Sequence, residues 1–82
     1  MAETMLTDRV CDDLEFRIAK AIRKYGAFAD NAHTLGALHL EVAEVHEAIQ
    51  QRKDWKVREE LLDVATVAIR RVLELDARKV TA

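Results

Sequence analysis

The sequence is poor in the residues that interrupt or cross-link a chain, because its 82 residues include two glycines, one cysteine and no proline. A single cysteine, Cys11, cannot form an internal disulfide, and no spacing of Cys and His matches a zinc site. The pattern G-x-x-x-x-G-K is absent, which excludes a P-loop for a γ-phosphate. With half of its residues hydrophobic and 34% charged, the chain has the composition of a helical bundle.

Long apolar runs and blocks of like charge are also absent. No stretch approaches the ~20 apolar residues of a membrane span, and residues 1–10 have neither the basic start nor the apolar core of a signal peptide. The net charge is −2, from 13 basic and 15 acidic residues, with no basic patch that would favour nucleic acid. We therefore predict a cytoplasmic protein that binds neither nucleic acid nor a membrane.

The apolar periodicity predicts one small all-α domain, residues 1–82, with three helices. They are expected at about residues 7–25, 34–52 and 54–78. Thr7 and Asp54 are the predicted N-caps of helices 1 and 3, either Asn31 or Thr34 caps helix 2, and Gly26 ends helix 1.

Helix 3 has too much apolar surface for two neighbouring helices to cover. Its two adjacent stripes are Val57, Leu61, Val64, Ala68, Val72 and Leu75, and then Leu62, Ala65, Ile69 and Leu73. Helix 2 has one predicted buried stripe, formed by Leu35, Leu38, Val42, Val45 and Ile49. We expect a short helical bundle that is completed by homo-oligomerisation, as a homodimer or a higher oligomer.

Two acidic pairs flank the predicted turn between helices 2 and 3, Glu41 with Glu44 and Glu60 with Asp63. Residues three apart on a helix point in the same direction, so the two pairs face each other if the chain turns back. Carboxylates that converge in this way disfavour each other's ionisation, and a hard cation with oxygen ligands relieves the repulsion. The alternative is that the acids only solvate the outer helix faces, although Glu41 borders the predicted apolar stripe.

The segments LEVAEVHEAI and REELLDVA contain these pairs in the order E-x-x-E, turn, E-x-x-D. Over about residues 34–70 the chain resembles the MazG-like all-α nucleoside triphosphate pyrophosphohydrolases. The resemblance implies that Glu41, Glu44, Glu60 and Asp63 bind Mg²⁺, or Mn²⁺ in its place, and that Glu41 or Glu44 acts as the catalytic base. The implied reaction is hydrolysis of a ribo- or deoxyribonucleoside triphosphate to the monophosphate and pyrophosphate.

The substrate would also need cations and an aromatic ring. The candidates for substrate binding are Lys20, Arg23, Lys24, Lys53 and Arg58 for the phosphates, and Trp55 for the base. Cations at the end of helix 1 also complement its dipole, and an aromatic ring can serve the core instead. A second hypothesis is a non-catalytic helical dimerisation module of the same fold that binds metal or nucleotide, which is favoured by Leu40, where the family usually carries an acid.

Overall fold

The computed structural model describes residues 6–81 and consists of three helices, without a strand in that range. The helices are α1 (Asp8–Tyr25), α2 (Asn31–Gln50) and α3 (Asp54–Thr81). The predicted three-helix, all-α fold is therefore confirmed. None of the helices in the described part of the chain is long and apolar enough to cross a membrane. The expectation that the chain has no signal peptide concerned residues 1–10. Of these, residues 1–5 lie outside the described residues.

The ends of α1 are those predicted. The Thr7 side chain accepts a hydrogen bond from the Val10 amide, and Asp8 lies in the first turn, where an acid complements the helix dipole. Gly26 adopts a positive φ of 71° and its amide donates to the Ile22 carbonyl. A residue with a side chain would be strained in that conformation, which explains the glycine at this end.

The start of α2 differs from the prediction. Asp30 is the N-cap, and its carboxylate accepts from the His33 amide at 2.8 Å. The helix therefore begins at Asn31, three residues before Thr34. Asn31 is already helical and its side chain accepts instead from the guanidinium of Arg71, with 2.8 Å from Nη2 to Oδ1.

The turn between α2 and α3 occupies residues 51–53, so α2 ends two residues before its predicted end and α3 begins where it was predicted. Arg52 has a φ of 58°, in the left-handed region, and the carbonyl of Lys53 accepts from the amides of Lys56 and Val57. Asp54, which was predicted to cap α3, is its first helical residue. An acid in the first turn still favours the helix through the dipole.

Helix α3 lies between the other two helices. The Asn31–Arg71 hydrogen bond joins the start of α2 to the C-terminal half of α3, so these helices run antiparallel. Salt bridges from Asp13 to Arg58 and from Arg17 to Asp63 show that α1 runs parallel to α3. No Cα atom of α1 lies within 8 Å of a Cα atom of α2. The two outer helices therefore leave an open groove above α3.

The hydrophobic core of the single chain is small. Among the described side chains, the buried apolar ones are Phe28, Ala48, Leu62 and Val67, and no large side chain is fully buried. The stripe predicted for α2 is buried only in part, because Leu38 and Val45 are half-buried whereas Leu35, Val42 and Ile49 are each more than half exposed. The buried residues of α2 are Thr34 and Ala48, which are small and let the helices approach closely.

Candidate functional site

Three of the four predicted acidic ligands come together between α2 and α3. Glu41, Glu44 and Asp63 each offer one carboxylate oxygen, and these oxygens all lie within 4.8 Å of one another. All three residues are half-buried. The antiparallel hairpin produces this arrangement, because the acids on α2 precede the turn by about as many residues as Asp63 follows it.

The fourth acid, Glu60, lies beside Glu44. The pKa of Glu60 is raised to about 7, first by burial, then by a hydrogen bond with Glu44, and then by the charges of Glu44, Asp63 and Glu41. The pKa of Glu41 is also raised, first by burial and then by the charges of Glu44 and Asp63. These carboxylates therefore disfavour each other's ionisation in the folded chain.

This donor set fits a hard divalent cation. Carboxylate oxygens are the protein ligands that Mg²⁺ prefers, and it uses few of them because it keeps several waters. Glu41, Glu44 and Asp63 would hold such an ion, and Glu60 stands close enough to Glu44 to orient it or to join the ligands.

Arg17, which the sequence analysis did not single out, crosses from α1 to the acids. Its Nη1 donates to Asp63 Oδ1 at 2.6 Å, and its Nη2 forms a short ion pair with Glu59. A carboxylate has two oxygens, so Asp63 can accept from Arg17 and still offer the other oxygen to a cation. Arg17 thereby fixes the orientation of Asp63 and links α1 to the acidic cluster.

The groove above α3 has a volume of about 640 Å³ and includes this part of the site. Its floor is formed by α3 residues from Glu59 to Arg70, and its lining includes Glu41 from α2. The wall on α1 carries both cations and aromatic rings, namely Arg17, Lys20, Lys24, Phe16 and Tyr25. The groove thus combines acids for a cation with basic groups for an anion.

Of the predicted substrate-binding residues, Lys20 and Lys24 line the groove and the other four lie outside it. Arg23 is exposed on α1, Lys53 lies in the turn, and Trp55 is 68% exposed in the first turn of α3. Arg58 pairs with Asp13 at 2.8 Å and with Glu59 at 3.2 Å, and it lines a separate, smaller hollow beside Val57 and Leu61.

The sequence does contain a signal for the residues that were not predicted, namely a spacing that α1 and α3 have in common. Residues 13, 17, 20 and 24 of α1 have spacings of four, three and four, and so do residues 59, 63, 66 and 70 of α3. Each row follows one helix face, and the structure sets the two rows against the same groove. Only the packing of α1 against α3 reveals that they belong together.

No protein-family model, curated protein or solved structure matches this chain. The interpretation of the site therefore depends on its own residues.

Proposed function

We propose that this protein hydrolyses a nucleoside triphosphate to the monophosphate and pyrophosphate in a Mg²⁺-dependent reaction. The observation that supports this most is the meeting of Glu41, Glu44 and Asp63, from two helices, within 4.8 Å beside a groove that also carries cations. A site of this kind suits a ligand that is itself a polyanion and arrives with a divalent cation.

The acids and the cations would have separate tasks. Bound Mg²⁺ would neutralise phosphate oxygens and help to activate the attacking water. Glu41 lines the groove and Glu44 is not among the lining residues, so Glu41 is the better placed of the two to accept a proton from water. Lys20 and Lys24 face the same space from α1 and would contact phosphate oxygens.

One observation favours the second candidate, a non-catalytic protein that binds metal or nucleotide. Arg17 already neutralises Asp63 and Glu59 by ion pairs. A cation that binds to Asp63 would gain less from an acid whose charge is shared with a guanidinium. In that case the protein would bind a nucleotide or a metal and release it unchanged.

We further propose that the functional unit is a homodimer or a higher homo-oligomer. Large apolar side chains more than half exposed on the described surface include Leu35, Val42 and Ile49 on α2 and Leu61, Val72 and Leu73 on α3. Leu35, Val42 and Ile49 are spaced by seven residues, which places them in one row suited to a partner helix. A soluble monomer rarely exposes so much apolar surface.

A panel of ribo- and deoxyribonucleoside triphosphates, incubated with Mg²⁺ or with a chelator, tests the proposed reaction. We expect monophosphate and pyrophosphate from at least one of them, in the presence of Mg²⁺ only, and no product with the Asp63→Asn variant. Nucleotide binding without turnover across the panel would instead support the non-catalytic candidate. Accumulation of a diphosphate product would contradict the proposed reaction.

A further inference from the structure

One end of the groove has a composition opposite to that of the acidic cluster. Among side chains 6–78, which the structure describes, the acids that line the groove lie at or before the level of Asp63 along α3. The part beyond Asp63 is lined by the cations Lys20, Lys24 and Arg70. Glu74, the next acid along α3, is turned away to the Phe28 amide and the guanidinium of Arg71.

Arg70 differs from the two lysines because it is 5% exposed and held in place. Its Nη2 donates to the Gly26 carbonyl at 2.9 Å, and its Cζ lies 4.4 Å from the centre of the Phe28 ring. The ring of Tyr25 lies 5.9 Å from the same carbon. A guanidinium fixed between two aromatic faces and a carbonyl loses little conformational freedom when it binds an anion.

One hydrogen-bond donor of Arg70 also lacks an acceptor among the described residues. Its Nε is buried, and no atom of the described residues accepts a hydrogen bond from it. A buried donor without an acceptor is costly, all the more when it belongs to a charged group. No carboxylate is paired with Arg70 among the described salt bridges, so no ion pair of the described residues neutralises its guanidinium.

We infer that Arg70, with Lys20 and Lys24, forms a binding site for the terminal phosphates of a polyphosphate. Arg70 follows Asp63 by seven residues, two turns on the same face of α3, which is about 10 Å at 1.5 Å per residue. A triphosphate coordinated at the acids by one end would reach Arg70 with the other. This assignment rests on the proposed function for the orientation of a nucleotide, with the pyrophosphate group toward Arg70, but binding of the phosphates themselves does not require hydrolysis.

Inorganic triphosphate tests the site without a nucleoside, a metal or a reaction. Calorimetric titration of the full chain with sodium triphosphate, in EDTA and low salt, should show binding that weakens as salt is added. Arg70→Met should weaken it by about tenfold or more, and Arg70→Lys should recover part of the loss. Arg9→Met is the matched control, because Arg9 is exposed in the first turn of α1 and does not line the groove.

A purely structural Arg70 would give a different result. Arg70→Met would then lower the melting temperature, yet bind triphosphate within twofold of the wild type at a temperature where both are folded. Absence of triphosphate binding by the wild type would also overturn the inference. If Arg70→Met does not fold, the Nε–H resonance of Arg70 in the wild type decides, because triphosphate must shift it and an unaltered resonance would contradict direct contact.

The two proposals fail separately. Triphosphate binding that depends on Arg70, with no nucleotide turned over, would leave this site intact and remove the proposed reaction. Turnover whose KM is the same in the wild type and in a folded Arg70→Met variant would leave the reaction intact and remove this site.

Discussion

At the scale of single residues, Asp63 belongs both to the ion pair with Arg17 and to the acidic cluster. It accepts from Arg17 at 2.6 Å and shares the acidic cluster with Glu41 and Glu44. An Asn side chain of the same shape keeps an oxygen for Arg17 but removes the negative charge. Substitution at this position therefore separates cation binding from the packing of α1.

We expect Asp63→Asn to fold and to lose its stabilisation by Mg²⁺. A ligand that binds only the native state stabilises it by about 2.7 kcal/mol at 100 times its Kd, which for a chain of this size raises Tm by at least about 10 °C. Differential scanning fluorimetry with and without Mg²⁺ measures the shift. Asp12→Asn, an exposed acid of α1, is the control and should behave as the wild type. A shift that persists in Asp63→Asn would show that the cation binds elsewhere.

Glu60 predicts how the metal-free protein responds to pH. Its pKa is raised from 4.5 to about 7 by burial and by Glu44, so between these values the folded chain holds a proton that the unfolded chain has lost. The free energy of unfolding should therefore fall as pH rises from about 4.5 to 7. Because Glu60 is only half-buried, we expect a loss of about 1 to 2 kcal/mol.

Urea titrations in EDTA at several pH values measure this dependence. Glu60→Gln should be more stable than the wild type at pH 8 and should lose less stability across that range. Glu15→Gln changes an exposed acid of α1 outside the groove and should leave the pH dependence unaltered. A wild type whose stability does not fall over this range would mean that Glu60 ionises without a penalty.

At the scale of helices, the start of α2 offers a direct test of its cap. Asp30→Ala removes the acceptor of the His33 amide and should cost about 1 kcal/mol of stability. Asp30→Asn should stay close to the wild type, because Asn is an equally good cap. Equal stabilities of the wild type and both variants in urea would instead favour a cap at Asn31 or Thr34.

The sequence was sufficient for the helices themselves because periodicity and turn residues are local signals. Thr7 and Gly26 determine the ends of α1 through hydrogen bonds to residues three or four positions away. The face that α2 presents to α3 could not be predicted in the same way. The apolar pattern predicts that residues such as Val42 belong to the core, yet Val42 is more than half exposed on the surface of the chain. The small residues Thr34 and Ala48 are buried instead.

The same limit of local sequence patterns explains which residues of the candidate site could be predicted. The four acids share two helices joined by a short turn, so their spacing indicates their proximity, and the structure brings Glu41, Glu44 and Asp63 together. Arg17 and Arg70 were missed because their roles depend on how α1 and the Gly26–Phe28 segment pack on α3. That packing joins residues more than 40 positions apart, and no local pattern encodes it.

At the scale of the whole molecule, the exposed apolar surface predicts association. We expect light scattering to give a mass of at least twice 9.3 kDa at micromolar concentration. Val72→Glu, which places a charge on the exposed face of α3, should reduce the mass to that of one chain. Gln50→Glu adds the same charge at an exposed polar position at the end of α2 and should not. A wild type of 9.3 kDa would contradict the proposed oligomer.

The proposed reaction is based on the arrangement of the groove, with acids at one end and Lys20, Lys24 and Arg70 at the other. A triphosphate that spans these two ends would present its α-phosphorus near the acids, and pyrophosphate would depart toward the cations. This geometry differs from hydrolysis at the γ-phosphate, for which the chain has no Gly-rich loop.

Hydrolysis in ¹⁸O-labelled water, with the products separated by mass spectrometry, tests this account most directly. Attack at the α-phosphorus predicts one labelled oxygen in the nucleoside monophosphate, unlabelled pyrophosphate, and no orthophosphate until a pyrophosphatase is added. Label in orthophosphate, with a nucleoside diphosphate as the other product, would contradict the proposed reaction.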